Sequence, residues 1–284
     1  MDGSAVNADV AISGWTGTQI LFRCAALLAA LGAAAPPAHS SDTPPPIDAG
    51  ARVAHVLVAL ADNRYQGIVP VPAAIGNGDD PVHNLYWGAA YGLKTFFRKA
   101  ADWDLVGKCS VGKGPVLERC VFRNRHEHVY VIIDAYRRRE IKRAVSDFFA
   151  FAAGHAQEQV SIGEAEFVNA AGASDLVAYV GHDGLMDFRL DHYEYATGSK
   201  RRDAVILACA GKSYFADALR WTGAKPLLWT TGLMAPEAYV LEAALTGWAR
   251  RETDDQICRR AAQAYDNYQH CGAKAAQHLF ATGW

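Results

Sequence analysis

A histidine and a cysteine, each placed where an apolar run gives way to glycine, are the residues of this chain best suited to chemistry. Asp175-Leu-Val-Ala-Tyr-Val180 leads into Gly181-His182-Asp183-Gly184, and 27 residues after the histidine Ala204-Val-Ile-Leu-Ala208 leads into Cys209-Ala210-Gly211. A thiol with an imidazole in reach can act as a nucleophile with its base, the sulfur attacking while the ring takes and returns the proton. The plainer account treats both as core residues, since cysteine at the end of a buried strand usually behaves as a small hydrophobe. The glycines tip the balance: Gly181 and Gly184 bracket His182 in a tight turn, and Gly211 follows Cys209 where the strand must end.

The elements that must position these residues follow from the same runs. Both are dense in aliphatic and β-branched side chains without clean alternation, the pattern of central parallel strands buried on both faces. Similar runs predict strands over 54–60, 129–133, 176–180, 204–208 and 226–231, with Val116 to Phe122 as a short edge strand. Helices are expected over Leu85 to Lys99, from about Arg139 to Ala152, from Pro236 to Arg251, and from Thr253, as N-cap, to about Tyr268. Alternating strands and helices define an α/β fold, a doubly wound three-layer sandwich around a mostly parallel sheet. Ligands of such sheets gather beyond the carboxyl ends of the strands. On neighbouring strands His182 and Cys209 would meet across one crevice, at about 4–7 Å in an unliganded site. The loop from Tyr65 to His83 is too long for a plain connector and is expected to overhang that crevice.

The first fifty residues differ from the rest. Arg23 precedes the apolar run Cys24 to Ala35, Pro36-Pro37 break it, and Ala38-His39-Ser40 offers small residues where a signal peptidase reads. The run is too short to cross a bilayer as a helix. The expectation is export, to a secreted or periplasmic location with no membrane attachment once the leader is removed; the competing account is a disordered alanine-rich extension. Ser41 to Gly50 is expected to be a flexible lead-in, and residues 51–284 a single α/β domain with a C-terminal helical segment. With 28 basic against 30 acidic side chains and a formal charge of −2, no field suits nucleic acid. The local run Arg137-Arg138-Arg139 is taken as the solvated start of a helix. Of six cysteines, Cys24 lies in the leader. Cys109 and Cys120 flank a short link and can pair in an oxidising compartment. Cys258 and Cys271 can pair only if the chain turns between them, since on one helix they would lie about 20 Å apart. Setting these aside leaves Cys209, unpaired and reactive.

Asp134, His182 and Asp183 lack any HExxH-type or paired-carboxylate spacing, no glycine-rich phosphate loop follows the first strand, and no Gly-x-Ser-x-Gly elbow is present, so neither metal nor cofactor is expected. Tyr179-Val-Gly-His182-Asp-Gly184 and Val205-Ile-Leu-Ala-Cys209-Ala-Gly211, with Gly223 to Thr231 and the helix after it, resemble the caspase, legumain, gingipain and clostripain class of cysteine peptidases. The resemblance covers roughly residues 52 to 251. It implies a caspase-like fold and a cysteine endopeptidase acting on a peptide or protein substrate. Cys209 would be the nucleophile, His182 its partner in a dyad, and the Asp183–Gly184 turn with the Cys209 amide the oxyanion donors. Asn63 would orient the histidine, with Asp62 as its rival, and Arg64 would bind an acidic side chain before the cleaved bond. For Asp62 and Asn63 the structural alternative is an Asx turn that ends the first strand. The chain departs from the class at Asp183, where glycine is usual: its carboxyl could reshape the oxyanion site or repel developing charge. That departure and the short His182–Cys209 gap leave a catalytically inactive caspase-like binding module as the alternative.

Overall fold

Arg52-Val-Ala-His-Val-Leu-Val-Ala59 buries almost every side chain, and a strand apolar on both faces belongs inside a sheet covered on both sides. In the computed structural model, which describes residues 47–65, 70–164 and 166–284, this strand, β1, lies within a central sheet. β5 (Val129–Tyr136) flanks it on one side and β8 (Leu176–Gly181), β9 (Asp203–Leu207) and β10 (Lys225–Thr230) follow on the other, all parallel. Antiparallel strands complete the sheet: β4 (Val116–Asn124) pairs with β5, β2 (Trp103–Leu105) and β3 (Ser110–Val111) pair with β4, and β11 (Phe280–Ala281) pairs with β10. β4 is thus an interior strand rather than the expected edge.

Alternate side chains of the parallel strands enter two cores. Val56, Val58, Ala178, Val180, Val205 and Leu207 pack with the helices α1 (Leu93–Phe97), α4 (Ala238–Ala249) and α5 (Asp254–Gln269). Leu57, Ala59, Val177, Tyr179 and Ile206 pack with α2 (Ile141–Ala153) and α3 (Gly211–Thr222). The result is a mixed α/β fold with a largely parallel sheet between helices, compatible with a three-layer sandwich. Ile141, Val145, Phe148 and Ala152 form the stripe by which α2 is held, each large side chain contributing about 1.5–3 kcal/mol on burial. α5 starts with the expected cap, Thr253 accepting from the Gln256 N–H and Gln256 returning to the Thr253 N–H. A last helix, α6 (Ala273–Leu279), leads into β11. No helix among the described residues is long and apolar enough to cross a membrane.

Two further expectations change. Residues 85–92 are not helical: only α1 is, and before it the chain makes successive turns. A side chain at Gly88 would strike the Val82 carbonyl and one at Gly92 the Trp87 backbone, so these glycines permit tight turns rather than a helix face against the sheet. Ile47 to Gly50 belongs to the folded unit: Ile47 bridges Phe167 and the Asp48 carboxylate meets His128 at 2.6 Å. The hairpin β6 (Gln157–Ser161) and β7 (Phe167–Ala171) was not foreseen; it lays Val160, Val168 and Ala170 over Val53, Tyr130 and Ile132. The expected leader and cleavage site lie outside the described residues.

Cys109, directly before β3, and Cys120, on β4, form a disulfide. Cys258 lies on α5 and Cys271 past its end, both unpaired, as their separation along one helix requires.

An ionic cluster centred on the buried Asp134 ties the hairpin to the sheet. Arg119 on β4 grips Asp134 on β5 with two bonds of 2.6 and 2.7 Å and reaches Glu158 on β6 at 2.6 Å. His55 on β1 accepts the Ala171 N–H at Nδ1 and therefore carries its proton on Nε2, 3.0 Å from Asp134. Burial pushes the Asp134 carboxyl up, but Arg119 and His55 outweigh it and hold the group below its ordinary value. Asp134 is committed here and takes no part with His182.

Candidate active site

The order β10-β9-β8-β1-β5 reverses direction between β8 and β1, and such a switch point opens a crevice beyond the strand ends. β8 and β9 run in register through Val180↔Leu207, so His182 and Cys209 each leave two residues later, at the same edge of adjacent parallel strands. Gly181 has φ +137°, and a Cβ there would lie 2.5 Å from the Ala59 carbonyl oxygen. Only glycine lets β8 lie this close to β1 as it turns out to present His182.

Cys209 stands on a sharp strand-to-helix turn. Ala210 after it adopts the left-handed conformation, φ 52°, as the N-cap of α3. Strain of this kind, roughly 1–3 kcal/mol, persists only where the surroundings impose it. Here the Ala210 N–H donates to the Gly232 carbonyl at 2.8 Å, and Thr230 joins β10 to the turn, its hydroxyl donating to the Ala208 carbonyl and accepting from Gly211. The Cys209 thiol is half-buried and donates to the Met234 carbonyl at 3.6 Å.

His182 is buried, and its Nε2 meets Asp187 Oδ2 at 2.7 Å. Its carbonyl accepts from the Tyr179 hydroxyl at 2.7 Å. Burial lowers the imidazole pKa, Asp187 opposes this, and the net shift is downward, so the ring is neutral at physiological pH. Cys209 and His182 share a level on neighbouring strands but bond to different partners, not to each other.

Asp183 is fully buried and points inward. Its Oδ1 accepts from the Leu185 N–H at 2.9 Å, capping the short turn Gly184–Met186, and its Oδ2 has no hydrogen-bond partner among the described residues. Burial pushes its carboxyl up to about 7. Between the ordinary carboxylate range and pH 7 the folded chain holds a proton that the unfolded chain has released, so stability falls as pH rises through that window and levels off above it. The expected loss from this group is about 2–4 kcal/mol between pH 4 and pH 7.5. Urea unfolding at several pH values should show a flatter dependence in Asp183→Asn; identical slopes in the two proteins would contradict the assignment. Gly184, which opens the turn, lies against the Phe188 ring.

Asp62, Asn63 and Arg64 lie at the end of β1, lining a separate cleft of about 410 Å³ with Tyr65 and Arg139. Both bonds of the Asn63 amide go to the Val71 backbone, at 2.7 and 2.8 Å, and Asp62 accepts from the N–H groups of Arg64 and Gly78. Both side chains brace the following loop, as in an Asx turn, and neither touches His182. Arg64 is exposed, and no carboxylate among the described residues pairs with it. A bridge connects this cleft to the histidine: Arg138 donates to the Tyr65 carbonyl at 2.7 Å and approaches Asp187 at 3.9 Å. Arg138 is almost wholly buried, contrary to the solvated helix start expected of the arginine run. It and Asp187 are the site residues that sequence reasoning missed.

The side chains able to share a metal ion among the described residues are Cys109, Glu118 and Cys120, and there both sulfurs are joined in the disulfide. The chain matches no protein-family model, no curated protein and no solved structure. Function is therefore argued from the site.

Proposed function

We propose that the protein is a cysteine endopeptidase in which Cys209 is the nucleophile and His182 its proton-transfer partner. The observation that carries this reading is the β8–β9 register, which delivers the two residues to the same edge beside the switch point of the sheet. The left-handed turn behind Cys209 and the neutral imidazole of His182 add support. His182 takes the thiol proton as the sulfur attacks the peptide carbonyl carbon, then returns it to the departing amine. Water resolves the thioester by the same exchange in reverse. The caspase-like character of the fold and the peptide substrate rest on the motif resemblance, as do the oxyanion donors at the Asp183–Gly184 turn and Cys209. Arg64, exposed in its cleft, suits an acidic side chain before the cleaved bond. Export to a secreted or periplasmic location is supported by the Cys109–Cys120 disulfide, a bond that persists in oxidising compartments.

The separate bonding of Cys209 and His182, and Asp183 in place of glycine, favour the second reading, an inactive binding module of the same fold. A library of internally quenched peptides separates the two. Cleavage by the native chain that disappears in Cys209→Ala is expected; binding of peptides without any cleavage would establish the inactive module.

A further inference from the structure

The short turn Gly184–Met186 brings the chain back on itself, so that a residue five positions after His182 returns to its ring. Asp187 and Phe188 both donate backbone N–H bonds to the Gly184 carbonyl at 3.0 Å, and the Asp183 carbonyl accepts from Met186. This closed loop sets Asp187 Oδ2 2.7 Å from His182 Nε2. An ionised carboxylate only accepts, so Nε2 holds the ring proton. Nδ1 then keeps its lone pair, and it has no hydrogen-bond partner among the described residues. Arg138, reaching from the end of β5, places Nη2 3.9 Å from the same carboxylate oxygen.

We propose that Asp187 is the positioning residue of the site: it locks His182 in the Nε2–H tautomer and leaves Nδ1 as the nitrogen that exchanges protons with Cys209. This rests on the reading of Cys209 and His182 as nucleophile and base. The proton on Cys209 Sγ passes to Nδ1, making an imidazolium whose Nε2–H stays on Asp187. The sulfur electron pair forms the C–S bond to the substrate carbonyl carbon. When the tetrahedral adduct collapses, the C–N bond breaks and the Nδ1 proton goes to the amine nitrogen. Asp187 gains no proton; it accepts the Nε2–H bond throughout and steadies the positive ring.

The test uses the full chain with Asp187→Ala and Asp187→Glu. The Asp187 side chain is 50% exposed, so truncation leaves the fold intact, which thermal unfolding verifies. Nitrogen NMR of the imidazole is expected to show the Nε2–H tautomer in the native chain and a mixture in Asp187→Ala. Labelling of Cys209 by iodoacetamide should slow roughly tenfold in Asp187→Ala and recover substantially in Asp187→Glu. A native Nδ1–H tautomer, or Asp187→Ala labelling at the native rate while His182→Ala labels slowly, overturns the positioning role alone. Labelling at the native rate in His182→Ala overturns the dyad itself, and the two failures are thereby told apart.

Discussion

His182→Ala is expected to slow alkylation of Cys209 at least about tenfold near pH 7 and to cut peptide turnover on the order of 10²–10⁴-fold, the range a positioned acid–base residue supplies. The three free thiols among the described residues provide an internal control. Cys271 is exposed, Cys258 and Cys209 are half-buried, and burial pushes the Cys258 thiol up. Access alone would make Cys271 the first to react. A half-buried Cys209 that reacts ahead of it needs a chemical cause, and the candidate is the histidine that leaves the neighbouring strand at the same level. Peptide mapping after brief labelling reads the order directly. Labelling led by Cys271, with no change at Cys209 when His182 is lost, would reduce the pair to two strand-end residues.

Arg119→Met is expected to destabilise the fold by about 3–5 kcal/mol, the cost of leaving a buried carboxylate without its cation. Asp134 is 1% exposed and takes two guanidinium bonds from Arg119, whereas its other partner, His55, offers a single bond from Nε2, its Nδ1 being engaged by the Ala171 N–H. Methionine fills much of the same space, so the loss reports charge rather than packing. Arg119→Met with Asp134→Asn should recover a large part of the stability, because the amide needs no counter-charge. Urea unfolding of both variants checks this; a single variant within about 1 kcal/mol of the native chain would mean that water reaches Asp134 and the cluster is not an electrostatic tie.

The five parallel strands were legible because each is a run of aliphatic residues buried on both sides, as in Val129 to Ile133 or Leu176 to Val180. The hairpin was not, since Gln157-Glu-Gln-Val-Ser161 buries only Val160 and looks like any polar connection. Leu85 to Lys99 has helical spacing of apolar residues, yet Gly88 and Gly92 are pressed against backbone, a tertiary contact that periodicity does not encode. In the site, His182 and Cys209 stood out through their glycines. Asp187 did not: its bond to His182 exists only because the chain turns once between them, and any aspartate in that stretch would have looked the same. Arg138 was hidden for the opposite reason. Among three consecutive arginines, the buried one is chosen by the cleft it enters and not by its neighbours in sequence. Asn63 shows the reverse error of emphasis, a residue with suitable chemistry whose amide closes a loop.

The sheet described here finishes in very short strands: β2 has three residues, β3 two and β11 two. An open sheet margin is a template for other chains, and its danger grows with the length of unpaired backbone it offers. Among the described residues these margins are short, and β2 adds the exposed Asp104 paired with Arg125 at 2.6 Å, so a long apolar interior is kept from propagating into fibrils or sheet-extended assemblies. Concentrated solutions of the folded chain should consequently remain free of cross-β aggregates for as long as β1 and its neighbours stay paired.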